Sequence, residues 1–209
     1  MATQLQIYNL ALNLLKETKL ADLTEAREAR YVLDDWWSQT RQWMLEAGFW
    51  KFALRSASIT QDTLIVPEFG PPLAHNKPDD WVKTYAVSAS ERFDPLLESW
   101  LEEIGNIFCD VTPIYIRYVS NDANYGLDMT KWTARFVQAF AARLAANVCG
   151  KVSGSSEGLK DKLDKEADTA LSIALSFEAM REPNRRPSEG RWNQARRGRH
   201  GRADWYRYA

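Results

Sequence analysis

The sequence predicts a mainly helical α+β protein: an antiparallel helical bundle with a small inserted antiparallel β-sheet and a disordered basic C-terminal arm. Three observations predict it. Apolar residues recur at helical spacing in the first and last thirds of the 209 residues. Over 51–120 the period shortens, and β-branched and aromatic residues gather in short runs between prolines and glycines. Beyond Pro183 the chain becomes PNRRPSEGRWNQARRGRHGRADWYRYA, which has no apolar face to bury. The parts expected are therefore an N-terminal helical hairpin over 1–50, a β-subdomain over 51–120, a C-terminal helical hairpin over 121–182 that completes the bundle, and an extended basic arm over 183–209.

Leu5, Tyr8, Leu12 and Leu15 mark a first short helix, and Thr3 with Gln6 makes a capping-box pattern in front of it. Residues 19–24 turn the chain into a long helix, and two helices joined this closely are expected to pack antiparallel. On the second helix Ala29, Leu33, Trp36, Thr40, Trp43 and Ala47 recur at steps of four and three, with Trp37 and Met44 widening the stripe. Asp22 with Glu25 is the expected cap, and Gly48 the expected left-handed terminator. A strand from Lys51 follows, then a proline-rich loop with Pro67, Gly70, Pro71, Pro72 and Pro78. Residues 81–88 (WVKTYAVS) and 114–119 (IYIRYV) read as strands, and 104–109 as a shorter one, giving three to five antiparallel strands. Helical period returns with Trp132, Phe136, Phe140, Leu144 and Val148, capped by Asp128 or Thr130 and flanked by an alanine-rich run. Residues 150–158 (GKVSGSSEG) read as a flexible turn into a last helix carrying Leu159, Leu163, Ala167, Ala170, Ala174 and Phe177, which Pro183 ends.

The formal charge of −1 conceals a division. Residues 181–209 carry nine Arg against three acids, a net of +6, and the remainder holds 18 basic and 25 acidic residues, a net of −7. Cys109 and Cys149 are far apart and in no metal-ligand spacing, so both are expected as reduced core residues. Gln4, Gln6, Asn9 and Asn13 interrupt any signal-peptide run, and no apolar stretch reaches the roughly 18 residues of a membrane span. A soluble, intracellular protein without a membrane partner is the expectation.

Chemistry has few residues to work with. His75 and His200 are the two histidines, too few for a multi-histidine metal site, and His75 falls in the proline-rich loop, where solvation is expected. Gly150-Lys151 fails as a phosphate loop, because Ala145 stands where glycine is needed and Val152 where Ser or Thr is needed. The acid pairs Asp34-Asp35, Asp79-Asp80 and Glu102-Glu103 read as solvated surface. No catalytic, metal-binding or cofactor-binding residue is assigned, and the expectation is that the protein is not an enzyme. The arm remains as the candidate site: Arg185, Arg186, Arg191, Trp192, Arg196, Arg197, Arg199, Trp205 and Tyr206 suit a protein groove or a nucleic acid equally well.

The order of the parts resembles the head-to-tail adaptor (connector) proteins of tailed bacteriophages, the group that includes the tail tubular protein A family of short-tailed phages. ALNLL (11–15), GFWKFALR (48–55), PDDW (78–81), EIGNIFCD (103–110), IYIRYV (114–119), the Trp132-led alanine-rich helix, VSGSS (152–156) and GRWNQARRG (190–198) follow in that family's order over nearly the whole chain. The segment after PDDW, through Trp100, departs from the pattern. The resemblance implies a structural virion protein at the head–tail junction, present in the host cytoplasm during assembly. It implies a homo-oligomeric ring, a dodecamer, beneath the portal protein, which extends the DNA conduit and offers a platform to a downstream tail or nozzle protein. Genomic DNA would pass through the lumen without sequence-specific binding, and the C-terminal arm would dock into the portal. The alternative left open is a nucleic-acid-binding module acting through the Arg/aromatic arm. A cell-wall-degrading enzyme using acidic residues stands third.

Overall fold

The computed structural model describes residues 2–103, 105–154 and 157–181. Two compact units are distinguished, 1–178 and 179–209, and the architecture below is that of the first. The fold is mixed α+β. Four α-helices, α1 (Gln4–Leu14), α2 (Glu28–Ala47), α3 (Ala134–Val152) and α4 (Glu157–Met180), accompany two three-stranded antiparallel sheets among the described residues.

Helix α1 starts as expected. The Thr3 hydroxyl accepts from the Gln6 amide at 3.3 Å and the Gln6 side chain accepts from the Thr3 amide at 3.1 Å, which satisfies two orphan donors of the first turn. Helix α2 starts later than the Asp22 cap requires. Its N-cap is Arg27, without a side-chain cap, and Asp22 instead accepts from the Thr24 amide and hydroxyl in a local turn. The buried face of α2 is also turned by about one residue from the expected stripe. Trp37, Met44 and Leu45 are buried, Trp36 is half-buried, and Trp43 is exposed. Helix α3 is capped by the Thr133 hydroxyl, which accepts from the Phe136 amide, and not by Asp128 or Thr130. It runs on through Gly150, Lys151 and Val152, so the turn before α4 is shorter than the glycine-rich sequence suggests.

Helix α3 is the centre of the helical part, since both α1 and α2 pack against it. Its Phe136 meets Trp50, Phe52 and Trp132 edge-on at 4.7, 4.9 and 4.8 Å between ring centroids. Trp37 of α2 meets Phe140 at 4.9 Å and Tyr8 of α1 at 5.3 Å. Edge-to-face contacts of this kind add about 0.5–1.5 kcal/mol each beyond area burial. Five alanines of α3 (Ala139, Ala141, Ala142, Ala145, Ala146) are all buried, which lets neighbours approach closely.

The helix-to-strand passage after α2 differs from expectation in its chemistry. Gly48 has φ −157°, extended and not left-handed, so it is no αL terminator. The glycine is needed for space: a Cβ there would lie 2.3 Å from Leu175 Cδ2 of α4 and 3.3 Å from the Trp50 ring. Trp50 is fully buried and its indole N–H donates to the Met44 carbonyl at 2.6 Å. A single 3-10 turn, Lys51–Ala53, then delivers the chain into strand β1 (Leu54–Ile59).

The single inserted sheet expected from sequence is two sheets. The first has order β1-β6-β3, with β6 (Ile114–Ser120) between β1 and β3 (Trp81–Ser88). Leu54 pairs with Val119 and Ile59 with Ile114, and β3 pairs with β6 through two register shifts. The second has order β2-β5-β4, built from β2 (Leu73–Asn76), β5 (Asn106–Cys109) and β4 (Leu101–Glu103). Strand β2 lies inside the stretch that reads as loop, because a strand of four residues set between Pro72 and Pro78 is too short to show a period. Val87, Ile107, Cys109, Ile114, Ile116 and Tyr118, drawn from both sheets, share a second small core. The cysteines are free and buried, Cys109 there and Cys149 in the main core.

Candidate functional site

The arm residues Arg185, Arg186, Arg191, Trp192, Arg196, Arg197, Arg199, Trp205 and Tyr206 lie outside the described residues. Three polar clusters within the first unit have the density that a site requires.

The first is centred on Asp80, in the PDDW stretch that leads into β3. It is not the solvated acid that its pairing with Asp79 suggests. Its Oδ1 accepts from the Tyr118 hydroxyl at 3.0 Å, and its Oδ2 accepts from Arg55 Nη1 at 2.8 Å and from the Ser120 hydroxyl. Its carbonyl also accepts from the Asn121 amide at 2.9 Å. The donors arrive from β1 and β6 because β6 is paired to both outer strands. Burial by itself raises the carboxyl pKa, but the Ser120, Arg55 and Tyr118 hydrogen bonds together hold it below the usual carboxylate range. Burial and then the Asp80 contact push the Tyr118 hydroxyl up. Three donors from two strands converge on one carboxylate, so the cluster fastens β1 and β6 to the start of β3.

The second cluster was missed from sequence. His75 is fully buried on β2, opposite Ile107 of β5, with Nδ1 3.3 Å from the Ile107 carbonyl and 3.7 Å from Cys109 Sγ. The Cys109 thiol donates to the Val111 carbonyl at 3.2 Å, and His75 Nε2 is buried without a partner. Burial lowers the imidazole pKa and raises that of the thiol. Both shifts favour the neutral pair, the reverse of the thiolate–imidazolium state that a cysteine nucleophile needs. The signal available in sequence was the HNK tripeptide between prolines, which reads as loop by composition alone.

The third cluster joins α2, α3 and α4. Arg143 Nη1 lies 3.5 Å from Asp164 Oδ1, its Nη2 donates to Asp168, and its guanidinium sits 4.4 Å over the Trp43 ring. Trp36, Gln39, Thr40 and Asn147 complete a shallow recess of about 200 Å³ there, crossed by a 3.0 Å hydrogen bond from Asn147 to Thr40. Exposed Trp43 is explained by this contact: its face serves the Arg143 cation.

The other acid pairs are partly engaged. Asp34 accepts from the Tyr8 hydroxyl at 2.6 Å and from Arg30 at 2.7 Å, and Glu102 accepts from Lys77 at 3.1 Å. Among the described residues no group of three His, Cys, Asp or Glu could hold a metal ion, and no helix is long and apolar enough to cross a membrane. Comparison with protein-family models and with curated proteins found no match.

Proposed function

We propose that this protein is a structural virion component, a head-to-tail adaptor that forms a ring of identical subunits beneath the portal of a tailed phage. The observation that carries the reading is the order of sequence motifs, from ALNLL through GFWKFALR, PDDW and IYIRYV to GRWNQARRG, over nearly the whole chain. The polar clusters support a structural role, because their charged groups are spent on one another. In this reading the four helices pack as an antiparallel bundle that forms the ring wall, with α3 at its centre, and the sheets project toward a neighbour. The ring is a dodecamer that extends the DNA conduit and receives a tail or nozzle protein. The net −7 of residues 1–180 disfavours tight DNA binding wherever those acids line the lumen. The protein acts without catalysis and without a cofactor.

Residues 183–209 are the portal-docking arm. Fully extended, they reach at most roughly 90–95 Å, enough to cross onto a neighbouring ring. Trp192, Trp205 and Tyr206 serve as anchors, and Arg185, Arg186, Arg191, Arg196, Arg197 and Arg199 pair with portal carboxylates in fork geometry. The test is truncation before Pro183, followed by assembly onto isolated portal rings without DNA. The truncated chain is expected to fail to assemble. Assembly equal to that of the intact chain refutes the docking role. If assembly is intact but steeply salt-dependent affinity for short duplex DNA is lost, the arm is a nucleic-acid-binding element instead.

A further inference from the structure

The connection between β1 and β2 carries three of the most exposed large apolar side chains in the first unit: Leu64 at 90%, Val66 at 83% and Phe69 at 87%. The base of this loop is fixed. The Asp62 amide donates to the Ala74 carbonyl at 2.8 Å, and the Asp62 carboxylate accepts from Leu64 N at 2.9 Å and Asn76 Nδ2 at 2.7 Å. The Gln61 amide donates to Thr112 Oγ1 at 3.2 Å. Pro67, Pro71 and Pro72 restrict the rest, and Gly70 takes the left-handed φ of +91° that turns the tip. A water-facing apolar tip on a stiff, pinned base has already met most of its ordering cost, which is the property of a docking element.

The loop also states the charge of its receiver. Glu68 is exposed between Val66 and Phe69, and no Lys or Arg occurs from 56 to 76. That disfavours an anionic lipid surface, which recruits apolar loops flanked by basic residues. It favours an apolar recess with a free cation at its rim. The chain carries one. Between α1 and the first turn of α3 lies an open recess of about 440 Å³, lined by Leu10, Val137, Asn9, Asn13 and the exposed Lys19.

We propose that the 62–72 loop of one copy seats in the α1/α3 recess of a second copy, with Leu64, Val66 and Phe69 on Leu10 and Val137 and Glu68 facing Lys19. Loop and recess are different surfaces, so the contact is heterologous. Used once with each neighbour, it repeats head to tail and builds a closed ring or an open filament. The inference rests on the ring reading above and supplies its lateral contact. A single such contact is weak, and closure holds the ring by raising the effective concentration of every remaining contact.

The experiment is sedimentation velocity on the full chain up to roughly 1 mM, where millimolar association still registers. The intact chain is expected to self-associate, with L64S/F69S and L10D each weakening association at least about tenfold. Glu68→Lys and Lys19→Glu are each expected to weaken it, and the double reversal to restore it. All five positions are exposed, and far-UV circular dichroism verifies that each variant is folded. The proposal is overturned if the intact chain stays monomeric, if L64S/F69S associates as well as the intact chain, or if the double reversal fails to restore association. It is also overturned, in favour of a lipid partner, if L64S/F69S instead abolishes flotation with phosphatidylglycerol-containing vesicles. Ring formation on portals is scored separately. Rings that form with L64S/F69S sink this contact and leave the adaptor reading, whereas an intact chain that self-associates but never joins a portal does the opposite.

Discussion

Replacing Asp80 with alanine removes the acceptor that ties β1 and β6 to the start of β3. Two of its donors, the Tyr118 and Ser120 hydroxyls, belong to fully buried residues, and both are left facing an empty position. Hydrogen bonds to a charged acceptor contribute about 1.5–3 kcal/mol each. The third donor, Arg55, ends in solvent and recovers water, so it is left out of the sum. Burial of the carboxylate offsets part of the gain, which places the net loss at about 3 kcal/mol, roughly a hundredfold in the folding equilibrium. At a urea slope of about 2 kcal/mol/M the midpoint falls by roughly 1.5 M. Asp80→Asn keeps an acceptor for Ser120 and turns its amide toward the Tyr118 oxygen, so about half of that loss is expected. The exposed neighbour Asp79 is the control, and Asp79→Ala is expected to stay within about 0.5 kcal/mol. The sign with pH follows from the lowered carboxyl pKa. The advantage of wild type over Asp80→Asn is complete above the ordinary aspartate value of about 3.9 and disappears as pH falls through the lower folded value. Equal urea midpoints for Asp80→Ala and Asp79→Ala would refute the reasoning.

Three further outcomes are expected. Gly126→Ala places a Cβ 2.2 Å from the Ser120 carbonyl oxygen, a backbone atom that cannot swing away, and should cost about 1–3 kcal/mol by urea denaturation. Phe136→Ala empties the position that Trp50, Phe52 and Trp132 surround and should cost about 3–5 kcal/mol, with loss of near-UV circular dichroism. For His75 the folded pKa lies below the ordinary value near 6.5, so the unfolded chain binds the proton first. Stability therefore falls as pH drops below about 6.5, and His75→Gln should flatten that part of the urea-midpoint profile between pH 7.5 and 5.

The elements with a long period were legible in the sequence, and those set by tertiary contact were not. Helices α1, α2 and α3 show apolar repeats of three or more turns, and β3 and β6 are long enough for their β-branched and aromatic residues to count. Strand β2 has four residues and depends on pairing with β5, so nothing local distinguishes it from the proline loop around it. His75 was misplaced with it, because solvation was inferred from the loop. Gly48 was correctly seen to be required and wrongly explained: the left-handed cap is a local rule, whereas the collision with Leu175 comes from a residue far along the chain. Asp80 shows the same limit, since an acid beside another acid reads as surface until Arg55, Tyr118 and Ser120 are brought to it. The aromatic stripe of α2 was nearly right in extent, and its rotation toward Trp37 and Met44 follows from where α3 lies. Residues 183–209 carry the nine candidate site residues named from sequence, and for those composition and motif are the whole argument.

The passage from α2 to β1 has a mechanical consequence. Trp50 reaches back across Gly48 to hold the Met44 carbonyl while its ring lies against Phe136 of α3, and the Lys51 amide donates to Glu178 of α4 at 3.3 Å. A joint gripped from three helices is no hinge. Bending β1 relative to α2 requires the indole to leave its slot, so a load applied at the sheet travels into the helices as displacement of a stiff lever. A push along β1 therefore meets α3 through the Trp50–Phe136 contact.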